Sequence, residues 1–210
     1  MIMNMKKVCL LVLFTFSCIA LVAQNSADAY LDKVVAQFRN APGVSASFTL
    51  KGDTQSGIYM QGALKMKGEK FSLETNDMTT WYDGKTMWSY AASMQEVNIT
   101  EPTRQELVEI NPYMLLDSYK QSFTAVELKS AHKGERCFAL TPTKRNTSVK
   151  QIILTVATAT MSPISFEIIG NNNNRMLVAI TNYNDKNVIP DTAFTFDAAK
   201  YKGVTIVDLR

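Results

Sequence analysis

The sequence predicts a mainly β domain of the α+β class: a curled antiparallel sheet with one helix before it and a helical pair inserted in mid-chain. Three observations predict it. Apolar residues recur at helical spacing before Pro42-Gly43, the period changes to two after it, and both periods give way around Asn111-Pro112.

The first stretch to explain precedes all of these. Met1 to Lys7 carries two lysines, and Val8 to Ala23 is apolar or small throughout. A basic start followed by an apolar run shorter than the roughly 20 residues of a membrane span reads as a secretory signal peptide. Cleavage after Ala23 is expected, leaving residues 24–210 as one secreted domain. A rival reading makes Cys18 the acylated first residue of a lipoprotein, but the bulky Phe16 sits poorly in the segment before it.

Removing residues 1–23 takes Lys6 and Lys7 from the 22 basic residues, which then stand almost level with the 19 acidic ones. Such a balance exerts no long-range pull on nucleic acid or anionic membranes. Cys9 and Cys18 leave with the signal peptide. Cys137 then has no intramolecular partner for a disulfide, and its setting, Arg136-Cys137-Phe138-Ala139-Leu140, reads as a strand with a small apolar side chain in it.

Tyr30, Leu31, Val34, Val35 and Phe38 share one face of a helix running from Ser26 to Asn40. Beyond it Phe48 and Leu50, then Ile58, Met60, Leu64 and Met66, then Phe71 and Leu73 alternate with polar or small residues. Gly52-Asp53, Gly57 and Gly68-Glu69 break the run at hairpin intervals. Thr80-Trp81-Tyr82 and Met87-Trp88-Ser89-Tyr90 flank the turn Asp83-Gly84-Lys85, and Met94 to Ile99 adds a strand. Thr100 is read as the N-cap of a helix carrying Leu107, Val108 and Ile110, with a second helix bearing Tyr113, Met114, Leu115, Leu116 and Tyr119. Strands resume at 123–128, 136–140, 149–156, 163–169 and 176–183, and Phe194-Thr195-Phe196 reads as the last one. A sheet of roughly ten strands tends to curl, and helices inserted in mid-chain can roof its concave face.

Chemistry is notable by what the residue set excludes. The single histidine, His132, sits in Ala131-His132-Lys133-Gly134 between strands, without a second histidine for a metal or a G-x-S-x-G serine to serve. Asp83-Gly84-Lys85-Thr86 lacks the first glycine of a phosphate-binding loop and stands between two strands. We expect no catalytic residues, no metal and no cofactor; the chain is not expected to be an enzyme. What remains is apolar supply: methionines and aromatics crowd the central third, adaptable side chains suited to a greasy ligand or equally to a core.

Four segments, in order, resemble the outer-membrane lipoprotein carrier family, LolA: Val44 to Thr49, Gly62 to Lys67, Asp83-Gly84-Lys85-Thr86-Met87-Trp88-Ser89-Tyr90, and Asn111 to Leu116. Phe194-Thr195-Phe196 and Lys202-Gly203-Val204-Thr205 are similar to its closing strands. The resemblance implies an incomplete antiparallel β-barrel of about eleven strands with a helical lid. It also implies a task, carrying lipoproteins by their acyl chains from an inner-membrane lipoprotein-releasing transporter to an outer-membrane acceptor, and a monomer is expected. Typical members latch the lid with an arginine whose position falls here at Gly68, beside Lys67 and Lys70. A divergent branch is therefore expected.

The expected acyl-chain cavity takes Phe48, Ile58, Met60, Leu64, Met66, Phe71, Leu73, Trp81, Trp88 and Tyr90 from the sheet, and Leu107, Ile110, Met114 and Leu115 from the lid. Two alternatives stand beside the carrier: an envelope-stress sensor or scaffold binding a protein partner with the same half-barrel, and a membrane-anchored lipoprotein acceptor acylated at Cys18.

Overall fold

The computed structural model describes residues 26–53, 57–104, 106–107, 119–144 and 147–210. The expected signal peptide, its cleavage point and Cys18 lie outside the described residues, as do Ile110, Met114 and Leu115.

A helix over 26–40 ends at Pro42-Gly43, and twelve strands follow: β1 (Val44–Gly52), β2 (Tyr59–Lys67), β3 (Lys70–Thr75), β4 (Met78–Tyr82), β5 (Met87–Ala91), β6 (Glu96–Thr100), β7 (Phe123–Leu128), β8 (Glu135–Pro142), β9 (Val149–Ala157), β10 (Pro163–Gly170), β11 (Arg175–Asn184) and β12 (Thr205–Asp208). They form one open sheet in the order β12-β6-β5-β4-β3-β2-β1-β11-β10-β9-β8-β7. Two meanders thus meet at β1, which pairs with β2 on one side and β11 on the other. The sheet is antiparallel except for β12, which runs parallel to β6. It does not close: β7 and β12 are its edges.

The hairpins fall where the turn chemistry places them. Gly68 takes φ +56 in the two-residue loop that joins Lys67 to Lys70. At 83–86 the Asp83 carboxylate accepts from the backbone N–H groups of Lys85 and Thr86 at 2.9 and 2.8 Å, while Gly84 takes φ +103.

Three expectations need correction. Thr100 does not cap a helix but ends β6. Thr103 makes the capping box instead, its backbone N–H and hydroxyl donating to Glu106 Oε2 at 2.7 and 2.8 Å. Phe194-Thr195-Phe196 is not a strand: Asp191–Phe194 is a 3-10 turn, and the last strand begins at Thr205. An alternating Phe-x-Phe arises here because an irregular strap buries one aromatic after another. The segment read as a tail supplies β12, which joins the sheet beside β6, so the described residues form twelve strands, in keeping with the expected open sheet of about eleven.

The core lies on the concave face. Ala27, Leu31, Val34, Val35 and Phe38 of the helix pack on Val44, Met66, Phe71 and Tyr82 from one meander and Ala125, Phe138, Leu140, Ile152, Leu154 and Val156 from the other. A helix stripe at i, i+3, i+4 and i+7 meets strand residues of a single parity, which is what lets one helix fasten two meanders.

Candidate functional site

Cross-strand partners share a face, so the pairing register maps the concave surface directly. One lateral row runs Phe138, Leu154, Phe166, Val178, Leu50, Met60 across six strands. A second runs Ala125, Leu140, Ile152, Ile168, Met176. Phe48 and Ile180 pair beside them. All these side chains but one alanine are large and apolar, and their burial is graded. Phe138 and Leu154 are 0% and 1% exposed under the helix, Leu50 and Val178 are half-buried, and Met60 is 41% exposed. The apolar trough therefore continues beyond the part of the face that the N-terminal helix covers.

The described residues on either side of the segment expected to form the lid are anchored to this core. Leu107 is buried in it, and so is Tyr119 of the short helix Tyr119–Ser122. The Tyr119 hydroxyl donates to Asp32 at 2.8 Å, and Lys120 Nζ donates to the other Asp32 oxygen at 2.6 Å. Burial pushes the Asp32 carboxyl up, but these two donors outweigh it and hold the carboxyl below the usual range. The same burial, with Asp32 as acceptor, raises the Tyr119 phenol.

Among the described residues, the charges on the apolar rows are the pair at the β7–β8 edge. Arg136 donates to both Glu127 oxygens at 2.7 and 2.6 Å, and its guanidinium lies over the ring of Tyr30, which stacks on Phe138. The fork geometry holds the Glu127 carboxyl below its ordinary value, so the pair stays ionised and mutually neutralised beside the trough.

Of the residues expected to line a cavity, Phe48, Leu64, Met66, Phe71 and Leu73 lie on the concave face, but Met66 and Phe71 are fully buried core. Ile58 and Met60 stand at the mouth, where Ile58 O accepts from Gly52 N at 2.9 Å. Trp81, Trp88 and Tyr90 are corrected: they face the other way. Phe71 pairs with Tyr82 and Leu73 with Thr80, so the concave positions of β4 are Tyr82 and Thr80, with Trp81 between them on the far side. The trough residues that sequence reasoning passed over are Leu50, Phe166, Ile168, Met176, Val178 and Ile180. The alternation Met176-Val178-Ile180 carried the signal.

The face holding Trp81 and Tyr90 is covered by the segment between β11 and β12. Tyr201 sits 5.5 Å from Trp81 and 4.7 Å from Tyr90, ring centre to ring centre, and Phe196 packs on Trp81 at 5.8 Å. Phe194 is completely buried. Farther along the same face is a groove of about 470 Å³ whose lining is mostly polar, with Ser47, Thr49, Gln61, Glu74, Asn76 and Thr181 beside Phe48 and Ala63.

His132 is exposed in its turn, and Cys137 is half-buried on the far face with Sγ 3.6 Å from Thr155 Oγ1. What the concave face offers chemically is apolar area to an apolar ligand.

The profile described as outer membrane lipoprotein carrier protein LolA matches residues 16–172, which include β1 to β10. The chain belongs to the LolA family. Among solved structures, an uncharacterised conserved protein from Thermus thermophilus superposes with TM-score 0.58 at 12% identity, over 87% of this chain and 99% of that one. A LolA superfamily protein from Nitrosomonas europaea gives 0.42 at 11% identity, over 81% and 98%. MucB gives 0.49 at 11% identity, over 83% and 64%. No curated protein matches the chain.

As a LolA family member the chain departs at the latch. The expected arginine position, Gly68, is a hairpin loop residue, and Lys67 and Lys70 turn to the face opposite the helix. Both donate there to Asp191 of the strap, each at 2.9 Å. They hold the Asp191 carboxyl down at about 2. In this chain, then, those two cations fasten the C-terminal segment.

Proposed function

We propose that this chain is a periplasmic carrier that takes lipoprotein acyl chains into the concave trough and moves them from the inner to the outer membrane, receiving them from a releasing transporter and yielding them to an acceptor. The observation that carries the reading is the row from Leu154 through Phe166, Val178 and Leu50 to Met60, apolar throughout yet progressively uncovered. A self-sufficient core has no need to extend its apolar rows past their cover. Burial of hydrocarbon is worth about 0.8 kcal/mol per CH₂, so several methylenes suffice for transit through water. No catalytic step is part of this role.

Mass spectrometry of organic extracts from gently purified protein tests it. Acyl-bearing species are expected in amounts comparable to the protein. Extracts free of lipid, together with no uptake of added fatty acid, would reject the carrier.

The exposed edge strand β7 favours a second reading, a scaffold that binds a protein partner, because Val126 and Leu128 are exposed beside its unpaired edge. A scaffold would yield lipid-free extracts and a stable protein complex.

A further inference from the structure

Three consecutive hairpins bring their tips to one end of the sheet: β1–β2, β3–β4 and β5–β6. Each tip holds apolar side chains in solvent. Ile58, Tyr59 and Met60 are 50%, 61% and 41% exposed on the first, Met78 is 41% exposed on the second, and Met94 is 74% exposed on the third. Hydrogen bonds hold the residues that flank these tips: Gly52 N to Ile58 O, Met78 N to Thr75 Oγ1, and Ala92 N to Asp77 O, the last tying the second tip to the third. Apolar residues held out of the core at three neighbouring tips are unlike the scattered apolar residues of an ordinary surface.

We propose that this rim docks the protein onto a lipid bilayer surface by shallow insertion of Ile58, Tyr59, Met60, Met78 and Met94. The choice of a bilayer rests on the carrier reading, because Ile58 and Met60 lead directly into the trough along the row through Leu50 and Val178. Geometry supports it independently. The side chains stand on separate tips, each two strand spacings of about 4.8 Å from the next, and so present a studded edge suited to a soft planar surface.

Charge narrows the surface further. At this end Lys51, Lys144, Lys150 and Lys202 are matched by Asp53, Glu74, Asp77 and Glu96, and Arg175 is paired with Glu167 at 2.6 Å. With no surplus of either sign among the described residues, insertion rather than attraction to anionic lipid drives the contact, so binding tolerates salt.

The test is flotation of the purified protein with phosphatidylcholine vesicles at low salt and at about 1 M salt. The double variant Met78→Asp with Met94→Asp is compared, both positions lying in exposed turns. The wild type floats at both salt levels, and the variant falls by about tenfold while its unfolding midpoint and its binding of cis-parinaric acid are unchanged. A wild type that stays in solution, or a variant that floats equally well, overturns the proposal. So does binding seen only with anionic vesicles and lost in salt, or a variant that loses self-association instead of flotation, which makes the occupant a second copy. Failure of parinaric acid to bind with tip-dependent flotation intact sinks the carrier reading and supports the docking.

Discussion

The guanidinium carbon of Arg136 lies 3.8 Å above the ring centre of Tyr30, joining the sheet edge to the N-terminal helix through a contact that also engages Glu127 from both oxygens. Lysine keeps the charge but loses the fork and the flat face. Arg136→Lys is expected to lower stability by about 1 kcal/mol, read from urea unfolding, with the stacking part of the loss, but not the part due to the Glu127 fork, suppressed when Tyr30 is already leucine.

Asp191 titrates with a definite sign. Its folded pKa of about 2 lies below the ordinary 3.8, so what the Lys67 and Lys70 ion pairs contribute to holding the strap is complete above pH 3.8 and is lost as pH falls through about 2. Hydrogen exchange at residues 189–204 should accelerate over that window in the wild type. Asp191→Asn should exchange faster at neutral pH and show no such acid step.

Core and trough separate by substitution. Phe71 is 1% exposed within the main cluster, so Phe71→Ala is expected to cost about 3–5 kcal/mol. Val178→Asp places a carboxylate on the half-buried part of the row and should weaken fatty-acid binding by about tenfold with the fold retained, as judged by fluorescent-ligand titration. Unchanged affinity would remove Val178 from the trough.

Gly43 is required by proximity. A Cβ there would stand 2.7 Å from Ile189 Cγ1 and 2.8 Å from Asn187 O, the second a backbone atom that cannot swing aside. Gly43→Ala should therefore displace the strap and cost about 1–3 kcal/mol in thermal or urea unfolding.

His132→Ala should leave ligand uptake and stability unaltered, since the ring is exposed and the turn is held by Ser130, whose hydroxyl bonds the backbone of His132. Loss of uptake by folded protein would reopen the question of chemistry at this residue.

Local signals in the sequence placed the N-terminal helix and β1 to β11, but not the strap around Phe194, nor β12, nor which face of each strand meets the core. The strands around Phe138, Leu154 and Phe166 follow from alternation bounded by turn residues, and the helix over 26–40 from its stripe. Trp81 and Tyr90 misled because β4 and β5 are covered on both faces, by the core on one and by Tyr201 and Phe196 on the other. Where both faces are buried, alternation no longer tells inside from outside. Thr100 misled for a related reason: a cap signature two residues before Pro102 competes with Thr103, and only the Glu106 carboxylate decides between them. Lys67 and Lys70 could not be assigned to the strap because Asp191 lies more than a hundred residues away in sequence.

Strand β1 is among the first segments to leave the ribosome, yet its partner β11 is among the last, as the pairing of Phe48 with Ile180 shows. Until the chain is nearly complete, one whole edge of β1 has nothing to bind. A nascent molecule must therefore wait with a sticky β-edge uncovered, and its assembly is governed by a late, long-distance closure of the kind that is slow and prone to misassociation. Holdase assistance during folding, and a sharp loss of yield on deleting residues 175–184, follow from that order of events.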